Sequence, residues 1–77
     1  MAPPQLWARA TVAGGDGEVL YSCELLGEGV PGVGALDEIG RLALAARRAG
    51  AVLRLTEVVP QLVELLELSA LPVEVER

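Results

Sequence analysis

The chain contains no histidine, no phenylalanine and no lysine, and it has a single cysteine, Cys23. Without histidine there can be no Ser-His-Asp or Cys-His triad, and with one cysteine besides there is no transition-metal cluster. Cys23 can form no internal disulfide, and its place in an apolar strand pattern points to a buried, reduced thiol. Aromatic residues make up only 3% of the chain, as Trp7 and Tyr21, so the core must be built from Leu, Val and Ala. No apolar run approaches the roughly 20 residues that a membrane span needs. The opening "MAPPQLWARA" lacks a charged segment followed by an apolar run, so it does not read as a signal peptide. The expected location is cytoplasmic, without membrane insertion.

What is present is an apolar, acidic chain of 77 residues, 52% hydrophobic with a net charge of −5. That length is one small domain, residues 1–77, near the size at which a single core barely suffices. Such a domain often completes its burial with a second copy or a partner. The six basic residues are all arginine and are scattered, except for Arg47-Arg48 at the expected end of a helix. There they complement the helix dipole, and no clustered basic stripe offers itself to nucleic acid.

Periodicity gives the elements. "QLWARATVA" alternates, with Leu6, Ala8, Ala10 and Val12 on one side and Trp7, Arg9 and Thr11 on the other. "GGDG" at 14–17 is a turn, and "EVLYSCELL" returns as a second strand, so the two form an antiparallel hairpin. From about Leu36 to Ala49, Leu36, Ile39, Leu42, Ala43 and Ala46 form a helical stripe, with Gly50 placed as a left-handed cap. "AVLRLTEV" is a third strand, Pro60 opens a second helix that Pro72 stops, and "VEVE" closes as a fourth strand. The order is β-β-α-β-α-β. Helical crossovers make the last three strands parallel, and alternation within every strand leaves one sheet face bare. The expected fold is therefore an α/β two-layer sandwich with a mostly parallel four-stranded sheet, strand order 1-2-3-4, and both helices on one face.

The segment "GEGVPG", Gly27 to Gly32, spells the dinucleotide-binding pattern G-x-G-x-x-G, and Glu57 ends the next strand where a ribose-binding acid would stand. The chain has room for only one mononucleotide-binding half, Pro31 removes an N–H that could meet phosphate, and no Lys follows to make a P-loop. The glycines read better as a turn. The remaining acidic residues fall singly at solvent-facing positions, so no catalytic residue, metal site or cofactor is expected.

From Glu24 onward the chain resembles a STAS domain, the fold of anti-sigma factor antagonists and of some transporter-associated subunits. In that family a strand ending in an acidic residue and Leu leads to a D-S-S-G-L stretch that opens a helix. Here Glu24-Leu25 matches the strand end, Val33 stands nine residues later at the serine that is phosphorylated, and Leu36 matches the motif's leucine. "RRAG", "AVLRLTEVVP" and "LVELLELSAL" then follow the family's order, with Ser69-Ala70-Leu71 at its S-G-L. Gly32 and Gly34 replace the flanking Asp and second Ser, so no hydroxyl is present to accept phosphate, and the helix that precedes the second strand in the family is missing.

These residues imply a non-enzymatic, STAS-like regulatory domain that docks a protein partner without phosphorylation. The resemblance implies a kinase-like regulator or a transporter ATPase as that partner. The docking surface is expected at Gly29, Val30, Pro31, Gly32, Val33 and Gly34, with Asp37 and Glu38 in the first exposed turn of the helix. A self-assembling structural subunit and a small nucleotide-binding module are the alternatives. Self-assembly as a homodimer is expected on the bare sheet face, through Trp7, Arg9, Leu20, Glu24, Val52 and Arg54, or on the edge beside the first strand.

Overall fold

The computed structural model describes residues 3–76. Its elements are β1 (Gln5–Ala13), β2 (Val19–Gly27), α1 (Val33–Arg48), β3 (Val52–Thr56), α2 (Pro60–Ser69) and β4 (Glu74–Val75). The order of elements is the expected one, and both helices pack on one face of a four-stranded sheet.

The hairpin turn closes through Gly14 N–H to Glu18 O at 2.8 Å and Glu18 N–H to the Asp16 carboxylate at 2.9 Å. Gly17 supplies the positive φ of 86° that the turn requires. α1 ends in a Schellman arrangement, with Ala51 N–H donating to Ala46 O and Gly50 N–H to Arg47 O. Gly50, at φ 68°, is the left-handed residue of that cap, and Arg47 and Arg48 lie in the negative last turn of the helix dipole. Asp37 and Arg41 form the i,i+4 ion pair at 3.0 Å.

The core lies between the sheet and the two helices. Ile39, Leu53, Leu55 and Leu62 are fully buried, and each such side chain contributes about 1.5–3 kcal/mol by leaving water. Among the described residues, five of the twelve that form the core cluster are alanines, Ala8 and Ala10 on β1 and Ala35, Ala43 and Ala46 on α1. α1 packs against β3, and its small residues Ala35, Ala43 and Ala46 face the core. Leu55→Ala would open a cavity there at a cost of about 2–5 kcal/mol.

The strand order is β2-β1-β3-β4, not 1-2-3-4. β1 sits between β2 and β3 and pairs antiparallel with both, while β3 and β4 pair parallel. β2, β3 and β4 do run in one direction, as two helical crossovers require, but only one of the three ladders is parallel. The cause is that α1 carries the chain from β2 across β1. A hairpin offers either strand to the next neighbour, and β1 has the buried Ala8 and Ala10 that suit the centre of the sheet. β2 is left as an edge.

α1 begins at Val33, three residues before the first stripe residue Leu36. Val33 and Gly34 are exposed and add nothing to the apolar stripe, so periodicity alone starts the helix too late. α2 ends at Ser69, with Ala70 in a left-handed conformation, so Pro72 lies beyond the stop instead of making it.

Candidate interaction surfaces

Three surfaces follow from this topology: the loop before α1, the bare sheet face, and the edge of β2.

The loop is built on Trp7. Between Leu6 and Ala8 the β1–β2 register shifts, because Leu6 opposes Leu26 while Ala8 opposes Leu25. Trp7 is the extra residue of this bulge. It is not on the bare face, where strict alternation would put it, but packs half-buried against the core. Its ring covers Gly27, where any Cβ would clash with the indole. The indole N–H donates to Gly29 O at 3.2 Å, and the Trp7 carbonyl accepts from Val59 N–H at 3.0 Å. One residue thus ties β1, the loop and the entry to α2 together.

Above that anchor, Gly29 takes a positive φ of 69°, Pro31 is buried, and Gly32 caps α1 with no side-chain hydrogen bond. Val30 and Val33 project into water, 70% and 83% exposed. Gln5, Trp7, Gly29, Val30, Pro31, Val59 and Gln61 line a small concavity beside them. Asp37 and Glu38 are exposed but belong to the second turn of α1, since the first turn carries no acid. The six loop residues read from the sequence therefore form one anchored unit, with Asp37 and Glu38 farther along the helix.

Two of the three motif glycines now have physical reasons that involve no ligand. Gly27 makes room for the Trp7 ring, and Gly29 supplies a left-handed conformation. Glu57, the candidate ribose acid, is ion-paired with Arg9.

The bare sheet face carries two arginines, each held between two glutamates. Arg9 pairs with Glu24 at 3.2 Å and with Glu57. Arg54 pairs with Glu74 at 3.3 Å and with Glu76 at 3.7 Å. The two clusters stay separate, because β1 lies between β2, which carries Glu24, and β3, which carries Arg54. Thr11, Ser22 and Thr56 join Arg9 and Glu24 around a shallow concavity of about 420 Å³. All four glutamates and both arginines are about half exposed, so each pair contributes at most about 1 kcal/mol. With Trp7 withdrawn, Val52 remains as an expected apolar residue on that face, 44% exposed.

The third surface is the edge of β2, which the strand order leaves open. Leu20 is the extra residue of a second register shift, between Val12 and Ala13, so it has no partner on β1. Val19, Leu20, Tyr21 and Leu26 are all at least half exposed along this strand. The expected edge beside β1 does not exist, since β1 is central.

Among the described residues no group of three or more His, Cys, Asp or Glu could hold a metal, and no helix is long and apolar enough to cross a membrane. No protein-family model, curated protein or solved structure matches the chain.

Proposed function

We propose that this chain is a non-enzymatic, STAS-like interaction domain that docks a protein partner without phosphorylation, through the loop that Trp7 anchors. The observation that carries this reading is the pair Val30 and Val33, held in water on a loop fixed from beneath by Trp7 and the buried Pro31. Aliphatic groups presented on a rigid support lose little entropy on binding, which is what a docking site needs. Two details support the likeness to STAS domains. Val33 opens α1, at the place where the family's serine opens its helix. Ala70 adopts the left-handed conformation at the place where the family has glycine. The partner implied by that likeness is a kinase-like regulator or a transporter ATPase, and the domain works in the cytoplasm.

The test is a photo-crosslinking amino acid at Val33, used in the native host, with the adduct identified by mass spectrometry. One adduct of either partner class is expected, and it should vanish when Val30→Asp is added. A folded chain that gives no such adduct defeats the docking reading. Titration with NAD, ATP and GTP, followed by Trp7 fluorescence, should be flat. A saturable change would favour the nucleotide-binding alternative, because Trp7 touches the glycine loop directly.

A second reading, self-assembly, is favoured by a specific observation: the nine-residue strand β2 has an open edge with four exposed apolar side chains.

A further inference from the structure

The open edge of β2 gives self-assembly a specific surface and register. We propose, resting on the self-assembly reading, that the chain forms a homodimer by antiparallel pairing of β2 with β2 of a second copy, about a two-fold axis passing at Cys23.

The edge is available and weakly protected. β1 occupies one side of β2 and, among the described residues, no strand pairs with the other, whereas the opposite edge of the sheet, β4, is only two residues long. Natural edges are commonly guarded by lysine, proline or inward charges. Between Val19 and Gly27 there is no Lys or Pro, and the one charge, Glu24, already pairs with Arg9. The helices do not reach this far. On the inner side of β2, exposure rises from Leu25, which is buried, through Cys23, which is half-buried, to Tyr21 at 55%. The sheet therefore overhangs the helix layer, and an added strand would extend the overhang into a continuous surface.

For a second copy, charge selects the register. A two-fold axis perpendicular to the sheet must pass at a residue, so that inner side chains meet inner ones. At Glu24 it would set that carboxylate against its own image, and at Tyr21 against Glu18, both repulsive. At Ser22 it would set Glu24 against Leu20, a charge against an aliphatic group. At Cys23 the Ser22 hydroxyl faces the Glu24 carboxylate of the second copy, which it can donate to, and Tyr21 faces Leu25. Cys23 is also the midpoint of Val19–Gly27, so this register overlaps the whole strand with itself. The bulge at Leu20 leaves Tyr21 to Leu25 as the regularly paired centre.

Light scattering on the eluting native chain should give twice the 8.0 kDa chain mass. Directly opposed residues in antiparallel strands have Cα atoms about 4.5–5.5 Å apart, inside the disulfide range of about 4.4–6.8 Å. Mild oxidation with diamide should therefore convert most of the dimer to a disulfide-linked form through Cys23. In a Cys23→Ser background, a Ser22→Cys chain mixed with a Glu24→Cys chain should cross-link as a mixed pair, and neither should cross-link well alone. Tyr21→Lys should halve the mass while leaving the circular dichroism unchanged. Should that variant unfold, the cross-links, made with Tyr21 intact, decide. A native chain that stays monomeric at high micromolar concentration overturns self-assembly and this interface together. A dimer in which Cys23 does not cross-link, or in which Ser22→Cys links best to itself, overturns the interface and leaves self-assembly standing.

Discussion

The ring of Trp7 fills the space into which a side chain on Gly27 would project. This contact explains why the first glycine of "GEGVPG" is a glycine, and it sets the position of the loop beyond it. Gly27→Ala must expel the ring, since three of its atoms stand in the way at once. Overpacking of this kind costs about 1–3 kcal/mol. We expect a lower melting temperature and a red-shifted Trp7 emission, because the indole moves into water and loses Gly29 O. An unchanged emission maximum would show that the ring can tilt aside and does not fix the loop.

Ala70 ends α2 with φ 54° and ψ 33°, a conformation that a side chain resists. Its N–H still donates to Leu66 O at 3.2 Å, so the cap is formed despite the strain. Ala70→Gly removes the Cβ conflict, and we expect a gain of about 1 kcal/mol. In a domain of this size that is about 4–8 °C in melting temperature. A loss of stability would mean that Ala70 is not left-handed in solution.

Much of the architecture is legible in the sequence, because the hairpin turn, both apolar stripes and the proline at the start of α2 are local signals. The "VEVE" alternation likewise puts Val73 and Val75 inward and Glu74 and Glu76 outward. What failed was non-local. A bulge changes the face of every residue beyond it, and no feature of "QLWARATVA" marks Trp7 as the extra residue. The only sign lies across the ladder, in a glycine at 27 with no side chain to oppose the ring. The strand order was hidden for a similar reason, because a hairpin does not say which of its strands meets β3. The small inner residues Ala8 and Ala10, against the exposed Val19 and Tyr21 of β2, are the physical basis of the answer. They acquire that meaning only once β3 is known to pair with β1.

Gly32 caps α1 in an extended conformation, with open space where a Cβ would stand and no side-chain acceptor for the first amides. The first turn also holds no acidic residue. Gly32→Asp would supply both an N-cap oxygen and a negative charge at the positive end of the helix, worth about 0.5–1 kcal/mol together. Thermal melts should show the gain at low salt and part of it lost at high salt. A neutral result would mean that the amides of Val33 and Gly34 are already satisfied.

Arg9 stands between Glu24 on β2 and Glu57 just after β3, so one guanidinium joins both neighbours of the central strand. Glu57 reaches it from a left-handed backbone at φ 52°, a conformation that disfavours a side chain. Arg9→Ala removes both pairs, and their exposure limits the cost to about 1 kcal/mol. Arg9→Glu should cost more, because three carboxylates would then crowd one end of the bare face. Salt separates the two effects. Raising ionic strength should bring Arg9→Glu closer to Arg9→Ala, since screening weakens repulsion between exposed charges, and both should remain folded. Denaturant titrations of the two variants at low and high salt provide the check. Equal stabilities at low salt would show that Glu24 and Glu57 can swing away from position 9, and that the row of charges across the sheet is solvated rather than structural.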